Sequence, residues 1–180
     1  MLSALQGMYA GFLLMIQNAR TDWLDPLAAG YTSLGNAGVI WIAISLAMLC
    51  HRSTRPAGML ALCAMLLGLV CTNLILKPLV MRPRPWLDVA GLIPLINEDD
   101  PNSFPSGHTA ASFAAVAALR TARSPLWKPS LVLAAVIAFS RLYLYAHWPT
   151  DILGGILVGT LAGWLGAKLV QLLAKKGEKN

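Results

Sequence analysis

Residues 152–173 read ILGGILVGTLAGWLGAKLVQLL, with one charge, Lys168, and no proline. A hydrocarbon layer about 30 Å thick is crossed by roughly 20 apolar helical residues, so this stretch reads as a membrane helix. Five more apolar segments precede it: about Leu2 to Ile16, Leu24 to Cys50 (strongest from Ala37), Gly58 to Leu76, Ser106 to Leu119, and Leu131 to about Leu144. Of the 180 residues 57% are hydrophobic and only 12% charged, about half the roughly 25% of a soluble domain. The expected fold class is an all-α, polytopic membrane helix bundle of five or six helices, forming one domain over residues 1–180. The first segment is short and holds Gln6, so residues 1–20 are read either as a span or as an interfacial helix. The start, MLSALQG, has no basic n-region, and no cleaved signal peptide is expected.

The net charge of +6 raises the question of nucleic acid, but the placement of the charges answers it differently. One set of turns carries Arg52 and Arg55, then Arg120, Arg123 and Lys128, then Lys175, Lys176 and Lys179; the opposite set holds every acid except Glu178. Lys and Arg accumulate in cytoplasmic loops, so the first set is assigned to the inside and the second to the outside. The basic tail is read as attraction to anionic headgroups. Cys50, Cys63 and Cys71 lie in or beside apolar runs and read as free packing thiols. Gly155, Gly159 and Gly163 fall on one helix face and permit close helix approach. Packing within the chain is the favoured reading, and a homodimer through the same face stays open.

Three clusters on the outer side remain. KPLVMRPRP, from Lys77 to Pro85, supplies fixed donors in Lys77 and Arg84; taken alone it reads as interfacial anchoring. FPSGHTAAS, from Phe104, looks like a helix start with Ser106 as N-cap. Such a start is either an ordinary cap or an anion site with His108 in its first turn. SRLYLYAHWPTD, from Ser140, holds Arg141, His147 and Asp151, with Pro149 suited to a first helical turn. From there Asp151 could reach one ring nitrogen of His147 and leave the other free to attack; an interfacial His beside a capping Asp is the plainer alternative. Together the clusters place three cations, a helix N-terminus, two histidines and a carboxylate at one membrane face. Phosphoryl transfer asks for that kind of positioning and charge stabilisation, and Arg suits phosphate by its planar fork. One histidine can then be the nucleophile and the other the proton donor.

The spacing Lys77–six residues–Arg84–Pro85, then Pro105–Ser106–Gly107–His108, then Ser140–Arg141–five residues–His147–three residues–Asp151 resembles the type 2 phosphatidic acid phosphatase family, in its membrane branch. That family includes bacterial undecaprenyl-diphosphate and phosphatidylglycerophosphate phosphatases, and every signature position is filled. The resemblance implies that His147 attacks phosphorus to form a phosphohistidine, that Asp151 orients it, and that His108 protonates the leaving group and then helps activate water. It implies that Lys77, Arg84 and Arg141 hold the phosphate oxygens, with donors from Ser106 and Gly107, and that no metal or other cofactor is needed. The acid run Glu98–Asp99–Asp100 is read as a solvated loop in preference to a divalent-cation site. Tyr143, Tyr145 and Trp148 are read as interfacial anchors in preference to a lining of the lipid entrance, and Arg82 is left undecided between the site and the headgroups.

The expected substrate is a lipid phosphate in the bilayer. Undecaprenyl diphosphate is favoured, with phosphatidic acid and phosphatidylglycerophosphate as alternatives. The expected setting is a bacterial cell membrane with the site on the extracellular or periplasmic face. A lipid-phosphate binder or transporter would need the cations but not His147, Asp151 and His108. A haloperoxidase of the same signature would require vanadate.

Overall fold

The computed structural model describes residues 2–96 and 98–177, with side chains for residues 6–96 and 98–170. Lys179 and the side chains of Lys175 and Lys176, part of the basic tail, lie outside the described residues. The described chain is helical, and its only extended pairing is a single bridge between Pro83 and Asn102.

Helix α1 spans Leu2–Asn18, α2 Leu24–Leu34, α3 Val39–Leu49 and α4 Arg55–Leu69. A π stretch, Val70–Leu76, continues α4 into α5, Lys77–Val80; α6 is the single turn Pro85–Asp88. Helix α7 spans Gly107–Thr121, α8 Trp127–Tyr143 and α9 Pro149–Gly177. Two breaks shape the site. Helices α2 and α3 are bent by 46° across the turn Asn36–Gly38, where Ala37 (φ 49°) and Gly38 (φ 72°) both take left-handed conformations. The π stretch carries the long fourth helix to Lys77, and such stretches concentrate at functional sites.

Helices α4, α7 and α9 pack on one another, α8 lies against α7, and α3 against α4. The close contact between α7 and α9 follows from residue size. Ala110, Ala114 and Ala118, four apart, are buried on one face of α7 and meet the α9 glycines. A Cβ at Gly155 would stand 2.8 Å from the Ser106 carbonyl oxygen, one at Gly163 2.9 Å from that of Ala114, and one at Gly159 would strike that of Ala110. The glycine face therefore serves packing within the chain, as favoured from sequence. The core between the helices is built from Trp41, Leu60, Ala64, Met65, Ala115 and Ile137, and the buried indole N–H of Trp41 donates to Ser112 Oγ at 2.9 Å.

The outside of the bundle is apolar: Leu66, Leu74, Val132, Phe139, Leu153, Leu157 and Leu161 are exposed, an arrangement that water would penalise. Arg55–Val80 and Pro149–Val170 are long and apolar enough to cross a membrane, and the bent α2–α3 pair makes a third if it is one span. Helices α1, α7 and α8 are shorter, at 17, 15 and 17 residues.

Candidate active site

The C-terminal ends of α5 and α8 and the N-terminal ends of α7 and α9 meet at one end of the bundle. The three sequence clusters come together there. Met81, left-handed at φ 45°, ends α5 and turns the chain into the Arg-Pro-Arg-Pro stretch. Lys77 Nζ lies 2.6 Å from Asp100 Oδ2. Arg84 is 1% exposed; it donates from Nε to the Asp100 carbonyl (2.6 Å) and from Nη1 to the Ala146 carbonyl (2.7 Å), and its Nη2 stands 3.4 Å from Glu98 Oε2. Arg141, in the last turn of α8 and fully buried, donates from Nη1 to Thr32 Oγ1 at 2.7 Å and from Nη2 to Glu98 Oε1. Its Nε has no hydrogen-bond partner among the described residues.

The five residues between Arg141 and His147 fold back on themselves. The backbone N–H groups of Ala146 and His147 both donate to the Arg141 carbonyl, at 3.0 and 3.3 Å, and Tyr145 sits at φ 59° to close the turn. Pro149 opens α9 as expected. Asp151, two residues further and fully buried, accepts from the Trp148 N–H through Oδ2 at 2.9 Å, the reach-back of a capping box. Its Oδ1 accepts from Arg82 Nη1 at 2.7 Å. His147 Nδ1 stands 3.5 Å from Asp151 Oδ2 and makes no hydrogen bond among the described residues, which is the loose geometry common before a substrate arrives. Burial pushes the His147 pKa down to about 4; Asp151 opposes this, and Arg141 and Arg84 reinforce it.

His108 shares a 2.9 Å hydrogen bond between Nε2 and Asn36 Oδ1, so the α2–α3 bend holds the ring. Ser106 caps α7 and is fully buried; its Oγ accepts from the Thr109 N–H (3.4 Å) and Oγ1 (3.0 Å). Lys77, Arg84, Gly107, His108 and His147 line one cavity of about 340 Å³, whose opposite wall is Ile42, Leu62, Met65, Leu66 and Leu69. Arg141, Ser106 and Asp151 are not part of that lining. A second cavity of about 530 Å³ shares Ala37, Glu98 and His108 with it. Among the described residues no group of three or more His, Cys, Asp or Glu side chains could hold a metal ion.

Two expectations need correction, and one open reading is decided. The acid run is not simply solvated: Glu98 and Asp100 turn inward onto Arg141, Arg84 and Lys77, because two buried guanidinium groups and the partly buried Lys77 draw the nearest carboxylates. Tyr143, Tyr145 and Trp148 are buried rather than interfacial. Tyr145 and Trp148 pack with Leu13 and Leu92, and Tyr143 donates to Asp25 Oδ1 at 2.6 Å. Arg82 faces Asp151, not the headgroups. Sequence reasoning missed Thr32, Gly35 and Asn36; the available signal was two polar residues four apart inside an apolar run.

The chain belongs to the PAP2 superfamily, whose family model matches residues 58–175, and it is a membrane protein with that family's helical fold. It is similar to an undecaprenyl-diphosphatase from Sulfolobus acidocaldarius, 27% identical over 72% of this chain and 63% of that protein. It is also similar to phosphatidylglycerophosphatase B from Bacillus subtilis, 32% identical over 81% of this chain and 75% of that protein. Among solved structures, it superposes on a transmembrane PAP2-type phosphatidylglycerolphosphate phosphatase from Bacillus subtilis with a TM-score of 0.75, at 26% identity, covering 93% of this chain and 87% of the other. Two further relatives, from Escherichia coli and Bacillus subtilis, are matched over only 43% and 54% of their length.

Proposed function

We propose that this protein is a metal-independent lipid phosphate or diphosphate phosphatase that works through a phosphohistidine, with undecaprenyl diphosphate as its favoured substrate. The observation that carries the reading is the 340 Å³ cavity, which joins a cationic end holding both histidines to a wall of aliphatic side chains. A phosphorylated headgroup fits the first and a lipid tail the second.

In the reaction, the free ring nitrogen of His147 forms a bond to phosphorus while the bond from phosphorus to the leaving oxygen breaks. His108 gives that oxygen a proton. Water then attacks phosphorus, the N–P bond breaks, and His108 takes the water's proton. Lys77, Arg84 and Arg141 stabilise the charge on the phosphoryl oxygens, and the N-terminal N–H groups of α7 add to it. Asp151 supports the imidazolium character of His147. The site is placed at the non-cytoplasmic face of a bacterial membrane, on the charge asymmetry of the turns, in a chain that acts as one domain. The choice of undecaprenyl diphosphate rests on the relatives so named and on an outward site suited to a carrier lipid; phosphatidic acid and phosphatidylglycerophosphate are the competing substrates.

The test is phosphate release by the purified chain in detergent, with chelator present, from these three lipids side by side. Release that disappears in His147→Ala supports the reading, and the best lipid identifies the substrate. A folded protein that releases phosphate from none of them overturns it.

A further inference from the structure

Arg82 lies between Lys77 and Arg84 and is not part of the cavity lining. Its contacts run behind the site instead. Nη1 donates to Asp151 Oδ1 at 2.7 Å and to Thr150 Oγ1 at 2.5 Å. The guanidinium lies over the Trp148 ring, 5.1 Å from its centroid, and the indole N–H of Trp148 is itself tied to the Pro83 carbonyl at 3.0 Å. Arg82 is thus braced on an aromatic face, which suits Arg better than Lys. The pair joins a side chain 22% exposed to one fully buried.

The consequence lies in how Asp151 divides its two oxygens. Oδ1 is taken by Arg82, and Oδ2 accepts from the Trp148 N–H and faces His147 Nδ1. Without Arg82, a buried carboxylate would keep one oxygen uncompensated and could turn about its own axis to find a donor. With Arg82 in place, only Oδ2 can be offered to the histidine. A carboxylate fixed in this way holds Nδ1 as the protonated nitrogen and leaves Nε2 with the lone pair. We propose that Arg82 is a positioning residue for the reaction, acting through Asp151 to set the ring orientation and tautomer of His147. The proposal rests on the phosphatase reading above.

The experiment compares Arg82→Gln, Asp151→Asn and the double variant in the full chain, reading kcat, KM and inhibition by vanadate. Arg82→Gln is expected to lower kcat by roughly 10- to 100-fold, as loss of a group that orients a reacting ligand does, with KM and vanadate inhibition unchanged. Added to Asp151→Asn it is expected to cause no further loss, because both act along one line. Arg82→Lys, which keeps the charge but not the fork, is expected to recover part of the activity and stands in where Arg82→Gln does not fold. Losses that multiply in the double variant, or vanadate inhibition that weakens in step with kcat, would overturn the proposal and make Arg82 an anion ligand. Unchanged kcat would also overturn it and leave Arg82 an anchor. Nitrogen NMR of His147 separates this from failure of the phosphatase reading. The wild type is expected to hold the Nδ1–H tautomer and Arg82→Gln a mixture, whatever lipid is hydrolysed; an identical tautomer in both would count against the role of Arg82 alone.

Discussion

Glu98 accepts a hydrogen bond from Arg141 and holds its other oxygen 3.4 Å from Arg84 Nη2, so one carboxylate bridges two buried guanidinium groups. Burial raises the Glu98 pKa, but the charges of Arg141 and Arg84 outweigh it and hold the group below the usual carboxylate range. The bridge sits on the cations proposed to hold phosphate, and a phosphate bound there would have to displace it.

Glu98→Gln keeps the shape and removes that competing charge. The unliganded protein is expected to lose about 1–3 kcal/mol, less than the roughly 3–5 kcal/mol for breaking a fully buried pair, because the Glu98 side chain is 21% exposed. Vanadate is expected to bind about tenfold more tightly, a gain of about 1.4 kcal/mol, and to restore the lost thermal stability. Thermal unfolding with and without vanadate checks both. Weaker vanadate binding in the variant would mean that Glu98 supports the cations instead of competing with the ligand.

His147 gives a pH prediction. Its folded pKa, near 4, lies below the ordinary value of about 6.5. Between those values the unfolded chain takes up a proton that the folded chain does not, so stability falls as pH falls through this window, by at most about 3 kcal/mol. The imidazole stays neutral down to about pH 4, and if His147 is the nucleophile, as proposed, the acid limb of kcat/KM is expected well below 6. A limb at 6.5 with unchanged stability across the window would contradict the buried, neutral histidine.

Arg141 spends Nη1 on Thr32 and Nη2 on Glu98, and its Nε is buried without a partner among the described residues. One ammonium cannot serve those directions, so Arg141→Lys should behave as a lost transition-state donor, with kcat down by about 10²–10³. Steady-state kinetics at saturating lipid test this. A change confined to KM would assign Arg141 to ground-state binding.

How much of this was legible depended on the reach of each signal. The apolar lengths announced helices, and the α9 glycines announced close packing, because both are periodic and local. The motif residues were legible because each motif is short and its residue types are chemically unusual beside apolar runs. Glu98 was not, since its partner Arg141 is 43 positions away and an acid run alone reads as solvated. Tyr145 and Trp148 misled for a related reason: aromatic residues at a helix end suggest an interface, and their burial depends on Leu13 and Leu92, which no local pattern connects to them. Asn36 was hidden inside an apolar segment, 72 positions from His108.

Gly35 shows what that hidden contact controls. A Cβ there would lie 2.7 Å from His108 Cδ2 and 3.1 Å from Ile137 Cγ2, so the imidazole has to move off Asn36. The backbone at Gly35, φ −85° and ψ −10°, is ordinary for alanine and adds no strain of its own. Restricting the unfolded chain even favours the variant by about 0.4–1 kcal/mol. Gly35→Ala is therefore expected to leave thermal stability near the wild type while His108, the proposed proton donor, is misplaced. A full general acid contributes about 10²–10⁴, and the loss in lipid phosphate hydrolysis should approach the lower end of that range. A nitrophenyl phosphate, whose leaving group departs without a proton, should be hydrolysed with much less loss. Equal losses on the two substrates would show that the displaced His108 disturbs phosphate binding, not protonation of the leaving oxygen.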